Sequence, residues 1–266
     1  MTATAEVLDR IHVEAHPTGR ELRAESDVVL LHGIGGAASS CAPLAARLSA
    51  AGLDCWCPDA PGYGQSLDPH PGIDPVEEIA NVVRAVSPDR PVVLVGTSWG
   101  GVIAMALAVR RPELVRALIV ADSTRGSGIS PAKAAAMRSR VPDLAARGPA
   151  AVAAERAASL TAPNGDPSAR GEVGRTMAAV RVPGFEVAAE FMAATDLGAD
   201  LPSITAPTLI LVGEHDTITG VDESRLLAER IPGATFRVIP DAGHVAIQEQ
   251  PDTVAGHVLD FLGGLA

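Results

Sequence analysis

Residues 92–110 read VVLVGTSWGGVIAMALAVR and carry the strongest structural signal in this sequence of 266 residues. The β-branched run over 92–95 predicts a strand that is buried on both faces, and the apolar run after the glycines predicts a helix. Between them stands Gly96-x-Ser98-x-Gly100. A strand, a tight turn and a helix in this order are the setting of a nucleophile elbow, which exposes the serine hydroxyl at the helix N-terminus. We therefore expect Ser98 to be a nucleophile.

The rest of the chain repeats the alternation of strand and helix. Buried strands are predicted over 28–31, 117–121 and 208–212. Helices are predicted over 39–51, 75–86, 100–110, 222–231 and 252–262. This order is typical of an α/β fold with a parallel sheet covered by helices. An antiparallel edge hairpin is expected over 10–25, with its turn near Pro17-Thr18-Gly19.

One segment, from Ser123 to Asp196, has no strand-like run and consists of Ala- and Arg-rich helical pieces. It holds nine Lys and Arg residues against seven acidic ones, whereas the whole chain has a net charge of −11. We expect a helical cap over 123–196, inserted into a core made of residues 1–122 and 197–266. Its arginines either face solvent or offer a cation to an anionic substrate, and the second interpretation names Arg125, Arg138 and Arg140 as binding residues.

Composition excludes several classes of protein. Hydrophobic residues make up 47% and charged residues 20%, which is typical of a folded chain. The excess of 32 acidic over 21 basic residues argues against nucleic acid and anionic membranes as partners. The odd set Cys41, Cys55 and Cys57 has no C-x-x-C spacing and favours a reducing compartment. We expect a cytoplasmic monomer or homodimer that acts on a small molecule without metal or cofactor.

A serine nucleophile needs a base, and His244 is the predicted one. It follows the strand-like stretch ATFRVIP at 234–240, in the loop DAGH that precedes the last helix. A loop at the carboxyl end of a parallel strand can reach the elbow. Four other histidines are expected at the surface or in packing: His12, His16, His70 and His257.

The orienting acid has two candidates, each at the end of a buried strand. Asp216 follows TLILV, and Asp122 follows ALIVA. Asp216 is preferred because the order Ser98, Asp216, His244 is the Ser, Asp, His order of the elbow hydrolases. Asp122 remains the alternative acid, and His215 is expected to be only a neighbour of the acid.

Two backbone N–H groups are needed to stabilise an oxyanion. Trp99 directly follows the serine and supplies one. The loop HGIGG at 32–36 follows the first buried strand, and its glycines allow it to fold back beside the elbow, so Ile34 is predicted as the second donor. Gly33 and Gly35 are expected to line the substrate site, and His32 to hold this loop in place.

Five ordered motifs carry a family resemblance: HGIGG, DAPGYGQS at 59–66, GTSWGG, GEHD at 213–216 and DAGH. Together they resemble the α/β-hydrolase superfamily, and most closely its 3-oxoadipate enol-lactonase-like and small carboxylesterase branch. The resemblance implies an eight-stranded, mostly parallel sheet with a helical cap after the sixth strand. It also implies the roles already assigned: nucleophile Ser98, acid Asp216, base His244 and oxyanion donors Ile34 and Trp99.

The chemistry expected from these residues is hydrolysis of a carboxylic ester or lactone through an acyl-enzyme on Ser98. Within the same chemistry, the alternatives are hydrolysis of a carbon–carbon bond, as in meta-cleavage products, and hydrolysis of a thioester. A ligand receptor without catalytic activity is the alternative from a different class. An intact set of nucleophile, base and acid argues against a receptor, which has no need of all three.

Overall fold

The computed structural model describes residues 3–18 and 27–265. Over these residues, seven strands form one sheet, with bounds β1 (Val13–His16), β2 (Asp27–Leu31), β3 (Asp54–Pro58), β4 (Val92–Thr97), β5 (Val115–Ala121), β6 (Thr208–Gly213) and β7 (Thr235–Ile239). Their order is β1-β3-β2-β4-β5-β6-β7. Every neighbouring pair is parallel except β1 with β3, which is antiparallel. The predicted mostly parallel α/β sheet is confirmed.

The strand count differs from the eight implied by the resemblance, because the described residues contain seven. The first arm of the predicted edge hairpin is present as β1, which pairs with β3 at the sheet edge. The second arm falls mainly on residues 19–26, which lie outside the described residues.

The helices have the bounds α1 (Ala3–Arg10), α2 (Ala38–Ala50), α3 (Pro75–Val86), α4 (Trp99–Arg110), α5 (Pro131–Arg147), α6 (Pro149–Leu160), α7 (Pro167–Ala178), α8 (Val182–Ala194), α9 (Val221–Arg230), α10 (Ala246–Glu249) and α11 (Pro251–Gly263). The five predicted helices correspond to α2, α3, α4, α9 and α11, with ends shifted by at most one residue. Local signals explain this agreement. At the start of α3, for example, Asp74 accepts a hydrogen bond from the backbone N–H of Val76, and Pro75 occupies the first turn.

The sheet is covered on both faces. Helices α2 and α11 pack against one face, in a cluster that includes Val28 and Leu30 of β2. Helices α3, α4 and α9 pack against the other face, in a cluster that includes Val29 and Leu31. Successive side chains of a strand point to opposite faces, so the unbroken apolar run of β2 supplies both cores. No helix within the described ranges is both long and apolar enough to cross a membrane.

Helices α5 to α8 lie between β5 and β6 and are called the helical insertion below. Each has a proline in its first turn, where the missing N–H costs no hydrogen bond. Helix α5 packs against α8, and α6 packs against α7. Leu144 of α5 and Phe185 of α8 join the same cluster as α3 and α4, so the insertion packs directly on the α/β layers.

Candidate active site

Ser98 lies between the end of β4 and the start of α4, with φ 53° and ψ −118°. A non-glycine residue with positive φ is uncommon and strained, and this geometry turns the hydroxyl out of the strand. The flanking glycines make the turn possible. A Cβ atom on Gly96 would lie 2.3 Å from the carbonyl oxygen of Gly100, and one on Gly100 would lie 2.4 Å from that of Leu31. The predicted elbow is therefore present.

The elbow is also held by hydrogen bonds from the neighbouring strand. The Ser98 backbone N–H donates to the carbonyl of Ala121 at 3.0 Å. The Ser123 hydroxyl donates to the Ser98 carbonyl at 2.7 Å. These contacts fix the backbone of the serine on both sides, so the strained conformation is set by β5 and the residues that follow it.

His244 connects the serine with Asp216. Its Nε2 atom lies 2.9 Å from Ser98 Oγ, and its Nδ1 atom lies 3.0 Å from Asp216 Oδ2. The three residues follow β4, β6 and β7, whose carboxyl ends lie at one edge of the parallel sheet. The residues 98, 216 and 244 singled out in the sequence are thus brought into one hydrogen-bonded chain.

Asp216 is oriented by more than the histidine. Its Oδ1 atom accepts hydrogen bonds from the backbone N–H groups of Ile218 at 2.8 Å and Thr219 at 3.1 Å, and the Thr219 hydroxyl bonds to Oδ2. Burial alone would raise the pKa of Asp216, but these bonds and the contact with His244 hold it at about 2. The carboxylate is therefore ionised at neutral pH and can hold the imidazole in one tautomer.

Asp122, the alternative acid, does not contact the imidazole. Its Oδ1 atom accepts from the backbone N–H of Gly213 at 2.8 Å, and its Oδ2 atom accepts from that of Ala246 at 3.0 Å. Both oxygens are therefore occupied by the loops that carry Asp216 and His244. Complete burial raises the pKa of Asp122 to about 7. The geometry favours Asp216 as the acid. Asp122 instead holds the loops that carry Asp216 and His244.

The loop after β2 packs against the serine. A Cβ atom on Gly33 would lie 3.1 Å from Ser98 Cβ, so only a glycine permits this approach without adjustment. Over the described residues, the backbone N–H groups of Ile34 and Trp99 have no hydrogen-bond partner. They are available as the oxyanion donors predicted from the sequence.

His32 holds this loop, as its sequence position predicts. Its Nδ1 atom is 2.9 Å from the carbonyl of Gly33, and its Nε2 atom is 3.0 Å from the backbone nitrogen of Ala60. Since a carbonyl needs a donor and an N–H needs an acceptor, the ring carries its proton on Nδ1 and is neutral. Burial lowers the pKa of His32, in agreement with this state.

A cavity of about 310 Å³ opens at Ser98. The loop after β2 forms one wall and includes Gly33, Ile34 and Gly35. The insertion forms the opposite side, where apolar side chains alternate with cations: Lys133, Met137, Arg140, Arg156, Leu160, Val173, Met177 and Met192.

The three arginines proposed for the substrate have different positions. Arg140 lines the cavity. Arg138 does not, because its Nε atom donates to Glu190 at 2.7 Å on the outer surface. The two lie two positions apart on α5, and residues so spaced do not share a helix face. Arg125 lies 3.3 Å from Glu223 in an ion pair and is not among the cavity-lining residues.

Two residues of the site are absent from the sequence prediction. Arg156 of α6 lines the cavity. Glu249 of α10 accepts hydrogen bonds from the backbone N–H groups of Gly243 and Ala162, both at 2.7 Å. Glu249 thereby connects the His244 loop to the residues after α6. In the sequence, the available signal for Glu249 is its position five residues after His244, and this spacing does not by itself predict a contact.

The chain is similar to known proteins over almost its whole length. The sequence profile described as the alpha/beta hydrolase family matches residues 28–257. A pimeloyl-[acyl-carrier protein] methyl ester esterase from Pectobacterium carotovorum is 31% identical over 249 residues, covering 89% of this chain and 94% of that protein. The 3-oxoadipate enol-lactonase 2 of Acinetobacter baylyi is 26% identical over 201 residues, covering 73% of each. An esterase structure from Thermogutta terrifontis with malate bound has a TM-score of 0.86 at 27% identity, covering 96% of this chain and 93% of that one.

Proposed function

The chain belongs to the alpha/beta hydrolase family, and we propose that it hydrolyses a carboxylic ester or lactone of a small molecule through an acyl-enzyme on Ser98. The observation that carries the proposal is the hydrogen-bonded chain Ser98–His244–Asp216 at a cavity lined by Ile34 and Trp99, whose backbone N–H groups have no partner among the described residues. The similarity to an esterase and an enol-lactonase supports a carboxylic ester or lactone as the bond that is cleaved.

In the first step, Ser98 Oγ forms a bond to the carbonyl carbon while His244 Nε2 accepts the hydroxyl proton. The carbonyl π electrons move to the oxygen, and the N–H groups of Ile34 and Trp99 stabilise the resulting oxyanion. Asp216, ionised and hydrogen-bonded to Nδ1, stabilises the imidazolium that forms.

The tetrahedral intermediate then collapses. The carbonyl re-forms, the bond from carbon to the alcohol oxygen breaks, and His244 donates its proton to that oxygen. In an ester the alcohol leaves, and in a lactone it stays attached to the acyl group. Water repeats the sequence: His244 accepts a proton, the water oxygen bonds to the acyl carbon, and Ser98 leaves with the proton. These steps need neither a metal nor a cofactor.

The helical insertion acts in this proposal as the cap over the site, with residues 123–196 covering a core of 1–122 and 197–266. The support comes from the lining of the cavity, because helices α5 to α8 all contribute side chains that face the elbow loops. A cap of this kind shields the acyl-enzyme from bulk water and selects the substrate by its shape and charge.

A serine-directed fluorophosphonate tests the nucleophile. We expect stoichiometric labelling of the wild-type protein and none of Ser98→Ala. A panel of esters, lactones, thioesters and meta-cleavage dienones then identifies the bond. Turnover of esters or lactones supports the proposal, and turnover only of dienones or thioesters assigns the alternative chemistry. A protein that binds ligands but is neither labelled nor active is a receptor.

A further inference from the structure

Two arginines of the insertion face the cavity and have no acidic partner in the described part of the chain. Within the described residues, the Nε atom of Arg156 is buried and makes no hydrogen bond. Arg140 donates only to the sulfur of Met137, at 3.4 Å from Nη1, and its guanidinium lies over the ring of Phe185 at 5.3 Å. A thioether and a ring face are weak substitutes for an oxygen acceptor, so the hydrogen-bonding capacity of both guanidiniums is largely unused.

The two guanidiniums also repel each other. Burial, and then the positive charge of Arg156, lower the pKa of Arg140 to about 10, which leaves the side chain protonated at neutral pH. Two like charges on a partly desolvated wall oppose folding unless a negative charge lies between or beside them. Among the described residues, no acid forms an ion pair with either guanidinium.

The acids nearest to the cavity are already engaged. Glu223 lines it but accepts from the Thr124 hydroxyl at 3.1 Å and pairs with Arg125. Asp143 lies beside the arginines and pairs with Arg147 at 3.1 Å. Other arginines of the insertion, such as Arg138, are matched with acids on the outer surface. Arg140 and Arg156, in contrast, face the cavity without such an acid among the described residues.

The position of the pair relative to Ser98 follows from a side pocket of about 40 Å³. This pocket and the main cavity share five lining residues, which include Arg140 and Arg156 together with Ile34 and Gly35 of the oxyanion loop. An anion bound between the arginines would therefore lie on the Ile34 side of the serine.

We propose that Arg140 and Arg156 bind an anionic group of the substrate, a carboxylate or a phosphate, so that the preferred ester or lactone carries a negative charge away from the bond that is cleaved. This inference rests on the proposed function and specifies its substrate class. Guanidinium donors bind carboxylate and phosphate oxygens in pairs, which would orient the substrate as well as hold it. Residues 123–196 have a net charge of +2 in a chain whose net charge is −11, so the inner wall is the local attraction for an anion.

The kinetic test compares monomethyl adipate, a methyl ester of similar length with a terminal phosphate, and neutral methyl hexanoate. We expect the wild-type protein to prefer one of the anionic esters in kcat/KM. Arg140→Gln and Arg156→Gln should each reduce that preference by about 30-fold or more. The preference is the ratio of kcat/KM for the anionic ester to that for methyl hexanoate, so a general loss of activity in a variant cancels. The anionic ester whose kcat/KM falls most in these variants identifies carboxylate or phosphate as the group that the arginines bind.

Matched controls keep the test specific. Arg138 lies on the same helix, α5, but pairs with Glu190 on the outer surface. Arg138→Gln should therefore not change the preference for anionic over neutral esters. Arg140→Lys keeps the charge but loses the paired donors, so it should retain part of the preference even if the glutamine variants fold poorly.

A binding experiment separates this inference from the proposed function. In the Ser98→Ala background, calorimetry with adipate and with inorganic phosphate should detect binding of at least one, weakened about 30-fold or more by Arg140→Gln. If neither anion binds and neutral esters are hydrolysed as well as anionic ones, the inference is wrong while the hydrolase proposal stands. If fluorophosphonate leaves Ser98 unlabelled but the arginine-dependent binding persists, the hydrolase proposal fails and the anion site stands.

Discussion

Asp122 accepts a hydrogen bond from the backbone N–H of Ala246, with 3.0 Å between Oδ2 and the nitrogen. Its other oxygen accepts from Gly213. One buried carboxylate at the end of β5 therefore ties together the loop that carries Asp216 and the loop that carries His244. We propose that Asp122 is a positioning residue, because it contacts both loops while the imidazole contacts Asp216.

Replacing the two aspartates should have unequal effects. We expect Asp216→Asn to lower kcat by about 10⁴-fold, because the imidazole loses its orienting charge. Asp122→Asn should lower kcat by about tenfold, since a displaced loop misplaces the imidazole without removing its acid. Steady-state kinetics on the best ester of the panel measure both. A larger loss for Asp122→Asn would exchange the two assignments.

Asp122 should also make stability depend on pH. Burial raises its pKa from 3.8 to about 7, so between these values the native state holds a proton that the unfolded chain releases. Its contribution to stability therefore falls as the pH rises through this window, by roughly 2–3 kcal/mol between pH 5 and pH 8. Urea unfolding of wild type and Asp122→Asn at the two pH values isolates the effect. An equal difference between the proteins at both pH values would contradict it.

Ser98→Ala should remove activity and leave the fold intact. We expect a loss of about 10⁴- to 10⁶-fold in kcat, the size found when a nucleophile of this kind is removed. Circular dichroism should be unchanged, because the Ser98 hydroxyl bonds only to His244 within the described chain. Turnover within tenfold of wild type would exclude Ser98 as the nucleophile.

Glu249→Gln tests whether the contact between the helical insertion and the loop that carries His244 affects the rate of the chemical step. Its two oxygens both accept from backbone N–H groups, and an amide can accept with only one of its two ends. We expect kcat to fall about tenfold with little change in KM, because His244 moves while the cavity wall stays. Asp252→Asn, at an exposed ion pair with Arg47, is the surface control. A change in KM alone would instead indicate a structural role for Glu249 in the cavity wall.

The elbow glycine can be tested against a helix glycine. A Cβ atom on Gly100 would lie 2.4 Å from the Leu31 carbonyl oxygen, so Gly100→Ala should force β4 and α4 away from β2 and prevent soluble expression or labelling. Gly171 of α7 is exposed and has nothing within 4 Å of an added Cβ atom. Gly171→Ala should therefore stabilise the protein by about 0.5–1 kcal/mol. Thermal unfolding of Gly100→Ala and Gly171→Ala measures both effects. A fully active Gly100→Ala protein would refute the packing argument.

Much of the fold was predictable because its signals are local. The run over 92–97, the glycines around Ser98 and the apolar residues of α4 each specify their own conformation, and together they specify the elbow. The strands β2, β5 and β6 are recognisable for the same reason, since burial on both faces requires an unbroken apolar run. The short α10 lacks such a signal, and the residue it contributes, Glu249, was not predicted.

The sequence by itself determined the α/β framework, the elbow at Ser98 and the position of His244 at the end of the last strand, because each depends on residues adjacent in the chain. It favoured Asp216 by the order of the residues but kept Asp122 as an alternative, because both follow strands that end at the same edge of the sheet. The tertiary structure favours Asp216, since its carboxylate contacts His244 while the N–H groups of Gly213 and Ala246 occupy the Asp122 carboxylate.

Only the tertiary structure selected the arginines of the cavity wall. The sequence analysis named Arg138 and Arg140 together, and which of them faces the cavity depends on the rotation of α5 about its axis, set by its packing against α8. The partner of Arg140 in the wall, Arg156, comes from α6, and no local pattern links the two helices. Charges on separate helices meet only after the helices pack, so the composition of the insertion could reveal an excess of cations but not which of them face Ser98.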